Sequence, residues 1–121
     1  MDYTAMKARL ERHQKVLKSL KAQVARAAES NRYDFEPMLA SIQEILNELE
    51  NDSHPGKIFV ALGKYKDLLT GLKRVLSMSQ VARVSALSSR MQNPLKEISG
   101  YCQEAHVAAW NNPPAETTEY R

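Results

Sequence analysis

The chain has 121 residues, the length of one ordinary domain, with 43% hydrophobic, 26% charged and only 7% aromatic residues. That profile excludes a disordered chain or a β-sandwich, and a chain of this length buries roughly two thirds of its unfolded surface on folding, without metal or disulfide staples. The net charge is only +3, but it is laid out in alternating blocks.

Residues 1–28 carry seven Lys/Arg against two acids (+5), and residues 34–52 carry six acids and no base (−6). Residues 57–96 hold eight Lys/Arg against one Asp (+7), and residues 97–121 sum to −3. The chain starts MDYTAMKARL, charged from the outset, so no secretory signal is expected. No apolar run approaches the roughly 18 residues of a spanning helix. The single cysteine, Cys102, suits a reducing compartment. The expectation is a cytoplasmic protein with no membrane partner.

In chain order, Tyr3, Met6, Leu10, His13, Leu17, Leu20, Val24 and Ala27 alternate in steps of three and four, a heptad stripe that predicts one long helix. Asn31-Arg32-Tyr33-Asp34 breaks it, and Asp34 or a neighbour would cap a second helix with Glu36 and Pro37 in its first turn. Phe35, Leu39, Ile42, Leu46 and Leu49 form that helix's stripe, and the short connection predicts an antiparallel hairpin. The regular heptads of helix one would equally zip to a second copy, so a homodimer through helix one is a further expectation.

Asn51-Asp52-Ser53-His54-Pro55-Gly56 combines capping residues with a proline suited to a helix start. Ile58, Leu62, Tyr65, Leu69, Leu72 and Leu76 then share one face of a third helix, which continues less cleanly through Val81, Val84, Leu87 and Met91. Ser77-Met78-Ser79 is a candidate bend. Asn93-Pro94 reads as a stop and restart. A last helix turns Leu95, Ile98, Tyr101 or Cys102, Ala105 and Ala109 inward, and residues 111–121 read as a flexible tail. The fold expectation is all-α: an up-and-down antiparallel bundle of about four helices in a single domain, residues 1–110.

Three Gly-Lys pairings in HPGKIFVALGKYKDLLTGLKR raise a phosphate loop, which the spacing excludes. Gly56 and Gly63 are separated by six residues, and Lys64 is followed by Tyr65 rather than Ser or Thr, in helical surroundings. At 100° per residue, Gly63 falls opposite the core stripe with Phe59 and Val60 one turn before it. A helical glycine costs about 1 kcal/mol relative to alanine. One way to offset that is a notch at Phe59, Val60 and Gly63 that seats a partner helix or peptide, rimmed by Lys64, Lys66, Lys73 and Arg74; the alternatives are that helix three packs centrally on two sides or that the glycines are simply tolerated.

The leading functional expectation is a non-enzymatic protein-binding module of chaperone, adaptor or inhibitor type, with no cofactor or metal. The alternative is a nucleic-acid accessory protein using Lys57, Lys64, Lys66, Lys73, Arg74, Arg83 and Arg90. Helix one is equally basic, but its hairpin neighbour is the acidic helix two, which would compensate much of that charge. A minor alternative is an enzyme at Cys102 and His106, four apart on one helix face. His13, the polar exception in its stripe, is expected half exposed at a bundle edge, the alternative being a buried histidine that fixes register or titrates. The short second helix after an aromatic-acid turn, followed by a Pro-Gly break, is loosely similar to flagellar export chaperones of the FliT type; the likeness is limited to helix punctuation and carries over no residue.

Overall fold

The computed structural model describes residues 2–27 and 33–111. Within them the chain forms α1 (Tyr3–Arg26), α2 (Glu36–Glu50), α3 (Pro55–Ser77), the short α4 (Ala82–Leu87), a 3-10 turn (Ser88–Met91) and α5 (Gln92–Asn111). The stretch read as a flexible tail lies outside the described residues, apart from Asn111, which closes α5.

Helices α1, α2 and α3 start where the sequence supplies an acceptor for free backbone N–H groups. Asp2 Oδ1 accepts from Ala5 N at 3.1 Å, and Asp34 Oδ1 accepts from Glu36 N at 3.0 Å. At α3 the cap is His54, whose Nδ1 accepts from Gly56 N at 2.9 Å while Pro55 takes the first helical position. A Cβ on Gly56 would stand 3.2 Å from that ring nitrogen, so the missing side chain leaves room for the cap. Helix α2 ends in a Schellman arrangement: Ser53 N donates to Glu48 O, and Asp52 N to Leu49 O, with Asp52 in the left-handed region at φ 51°.

The third predicted segment is not one helix. Ser77 Oγ donates to Arg74 O at 2.7 Å and Ser79 Oγ accepts from Val81 N at 3.1 Å. Serine hydroxyls that bond the local backbone compete with helix continuation, and the chain turns over residues 78–81 before α4. The restart at Asn93-Pro94 is also placed differently, because α5 begins at Gln92 and runs on from the 3-10 turn.

The elements pack as four antiparallel columns, with α4, the 3-10 turn and α5 together forming the fourth. Gln14 meets Gln43 and Lys21 meets Glu36 across α1 and α2, so the two run in opposite directions. Phe59 meets His106, and Gly56 approaches Ala109, across α3 and α5 in the same antiparallel sense. α3 touches α2, α4 and α5, while α1 packs on α2 and α4. The stripes named above enclose one core: Met6, Leu10, Leu17, Leu20 and Val24 of α1 are buried with Ile58, Leu62, Tyr65, Leu69 and Leu76 of α3. The heptad seam of α1 is therefore already used inside one chain. Among the described residues, no helix is long and apolar enough to cross a membrane.

Candidate functional site

Two surfaces carry chemistry. The first is the outer face shared by α3 and α5. Phe59 is half-buried, with its ring 5.1 Å from that of His106 and tilted by 48°. Val60 beside it is 57% exposed, and on α5 Val107 and Trp110 are 45% and 81% exposed. Trp110 lies one helical turn beyond His106, so both rings flank the same side of α5. A Cβ built on Gly63 meets nothing within 4 Å, nor does one on Gly71. Neither glycine is there to let a neighbour approach.

The basic residues assigned to α3 divide among different neighbours. Lys64 Nζ reaches Glu44 of α2 at 3.9 Å. Lys66 acts on Cys102 of α5, on the opposite flank. Lys73 is half-buried, whereas Lys57 and Arg74 are exposed. Arg83 and Arg90 leave this face altogether. The turn after Ser77 re-aims the chain, and both arginines line hollows against α1.

The second surface is a cleft of about 460 Å³ between α1 and the start of α5, with Arg12, Lys15, Arg90 and Glu97 around it and His13 in its wall. Here the expectation for His13 fails: it is 4% exposed, held in the bundle interior rather than at an edge. Its ring bridges two partners. Nδ1 lies 3.4 Å from Tyr65 Oη and Nε2 lies 3.3 Å from Glu97 Oε2. One neutral tautomer serves both: the phenol donates to Nδ1, and Nε2–H donates to the carboxylate. Burial pushes the His13 pKa below its ordinary value, against the opposing pull of Glu97, and burial pushes the Tyr65 phenol up. Tyr65 is wholly buried, and His13 exposes only 4% of its surface, in the wall of the cleft. The chain of three acts as a polar pin between α1, α3 and α5.

Compensation of the α1 charges by acidic α2 is also smaller than expected. Lys21 to Glu36, at 2.6 Å, is the one ion pair between them among the described residues. Arg9 instead faces Glu97 of α5 at 3.6 Å.

Cys102 is a buried free thiol whose pKa is pushed up by burial, which disfavours the thiolate a nucleophile needs. Among the described residues no hydrogen bond joins it to His106, whose ring packs on Phe59 instead, and no cluster of His, Cys, Asp or Glu could hold a metal ion. No family model, curated protein or solved structure matches the chain.

Proposed function

We propose that the protein is a non-enzymatic binding module that seats a partner helix or peptide on the outer face of α3 and α5. The observation that carries this reading is the contact of half-buried Phe59 on α3 with exposed His106 on α5, with exposed Val60 next to Phe59 in the chain and exposed Val107 and Trp110 next to and one turn beyond His106. Apolar and aromatic side chains on a surface mark interaction sites when they gather, and tryptophan is a frequent anchor. Gly63 adds a gap in α3 with nothing over it. A partner helix would lay its apolar stripe there, in the helix-in-groove manner, with Lys66 on the α5 flank, while Lys64 turns away to Glu44 of α2.

A Cβ at position 63 meets nothing within 4 Å, so Gly63→Trp is expected to change the face while the bundle stays folded. Affinity capture from the native host followed by mass spectrometry should recover a partner with the wild type and lose it with Gly63→Trp, while circular dichroism stays helical. Equal capture by both would remove the notch. A homodimer zipped through α1 finds less support, because it would have to expose the Met6, Leu10, Leu17, Leu20 and Val24 seam that the monomer buries.

A further inference from the structure

The cleft between α1 and α5 continues into a second hollow beside α4, for Ser19 and Arg90 line both. Arg12, Lys15 and Arg90 stand along the first part of this furrow, and Arg26 and Arg83 along the second. From Arg12 to Arg26 the α1 wall runs about 21 Å at 1.5 Å per residue.

Among the described residues these cations find almost no counter-charge. Glu97, the one acid lining either part, is already engaged by Arg9 and His13. Among the described residues Arg12, Lys15, Arg26 and Arg83 form no ion pair, and Arg90 has only the neutral amide oxygen of Gln23, at 3.4 Å. The acids of α2 do not help: Glu36 and Glu44 reach Lys21 and Lys64, on other faces. Five like charges along one furrow destabilise the free protein by mutual repulsion and favour an extended anion.

The shape and residue types restrict that anion. Four of the five cations are arginines, whose planar fork suits phosphate oxygens. A concave furrow between helices cannot enter a duplex groove as a protruding helix does, but it can receive one strand. Among its lining residues there is no Phe, Tyr or Trp on which bases could stack, so contact would be with the backbone and independent of base sequence.

We propose that this furrow binds the phosphodiester backbone of single-stranded nucleic acid, with the strand running along α1 and its bases turned outward. The site differs from the α3 row read from the sequence, sharing with it only Arg83 and Arg90. It uses none of the Phe59–Trp110 face, so either reading can fail alone.

With about four phosphates neutralised, the affinity should fall with salt at a log–log slope of about −3, so raising salt from about 50 to about 200 mM loosens binding roughly fifty-fold. The test is fluorescence anisotropy of the full chain with a fluorescein-labelled oligothymidylate of about 20 nucleotides. Binding at low salt with that slope is expected, with a loss of at least about tenfold in Arg12→Glu/Arg90→Glu and less than about twofold in Lys66→Glu/Lys73→Glu. The milder Arg12→Gln/Arg90→Gln pair, checked by circular dichroism, should show an intermediate loss and separates binding from folding. No anisotropy change at about 50 mM salt would overturn the proposal. So would equal binding of polyglutamate of matched length, or a loss that follows the α3 pair instead.

Discussion

Tyr65 and His13 are 52 residues apart in the chain, yet the phenol oxygen and imidazole Nδ1 meet at 3.4 Å in the centre of the bundle. The contact ties α1 to the diagonally opposite α3, and Glu97 on α5 completes it. Removing the phenol oxygen would leave a buried ring nitrogen without its donor, so Tyr65→Phe should cost about 1–2 kcal/mol in urea unfolding. A smaller effect would mean that the polar pin contributes little beyond packing.

The same pin makes stability depend on pH. Burial holds the folded-state pKa of His13 down, so the unfolded chain takes up that proton first. The contribution of neutral His13 is intact above the ordinary histidine range near pH 6.5 and is lost as pH falls below it, levelling off once the folded-state pKa is passed. Melting curves between about pH 8 and 5 should fall more steeply for the wild type than for His13→Gln. Parallel curves would show that His13 titrates as if exposed.

Gly63 and Gly71 sit inside α3 with nothing within 4 Å of an added Cβ. Alanine at either site should therefore raise stability by about 1 kcal/mol, the helix-propensity difference, with additive effects because the two lie two turns apart. A loss of stability at either position would reveal a packing role. If Gly63→Ala also weakens partner capture, the glycine is retained for function at the expense of stability.

Asp52 ends α2 with φ 51°, a conformation that glycine adopts without strain. Asp52→Gly should stabilise the bundle by about 1 kcal/mol, read from the thermal midpoint. Ser41 offers a similar gain, since among the described residues its buried hydroxyl has no hydrogen-bond partner, and Ser41→Ala should be neutral or stabilising by up to about 1 kcal/mol.

Much of this architecture was legible because helix periodicity is local. The stripe Ile58-Leu62-Tyr65-Leu69-Leu72-Leu76 is buried throughout, and that of α1 is buried from Met6 to Val24, His13 more deeply than expected, with its ends Tyr3 and Ala27 half-buried. The stripe of α2 was read too narrowly: Met38, Ser41 and Ile45 are buried as well. Helix α2 packs against both α1 and α3, and two neighbours widen the apolar face beyond one heptad seam.

What the sequence hid was long-range. The partners of His13 lie 52 and 84 residues away, and no spacing rule links them. A helical wheel also cannot be carried through the turn after Ser77, so the sequence groups Arg83 and Arg90 with the α3 lysines whereas the chain delivers them to α1. Phe59 of the notch pairs with His106 of α5, a partner that a reading of α3 alone could not have supplied.

The most direct test of a partner on the α3–α5 face is photo-crosslinking in the native host, with a benzophenone amino acid placed at Gly63 or Val107 and, as reference, at the exposed Lys7 of α1. The account predicts a discrete protein adduct from positions 63 and 107 that is absent from position 7 and disappears with Trp110→Ala. The same adducts from all three positions, or none from 63 and 107, would contradict it.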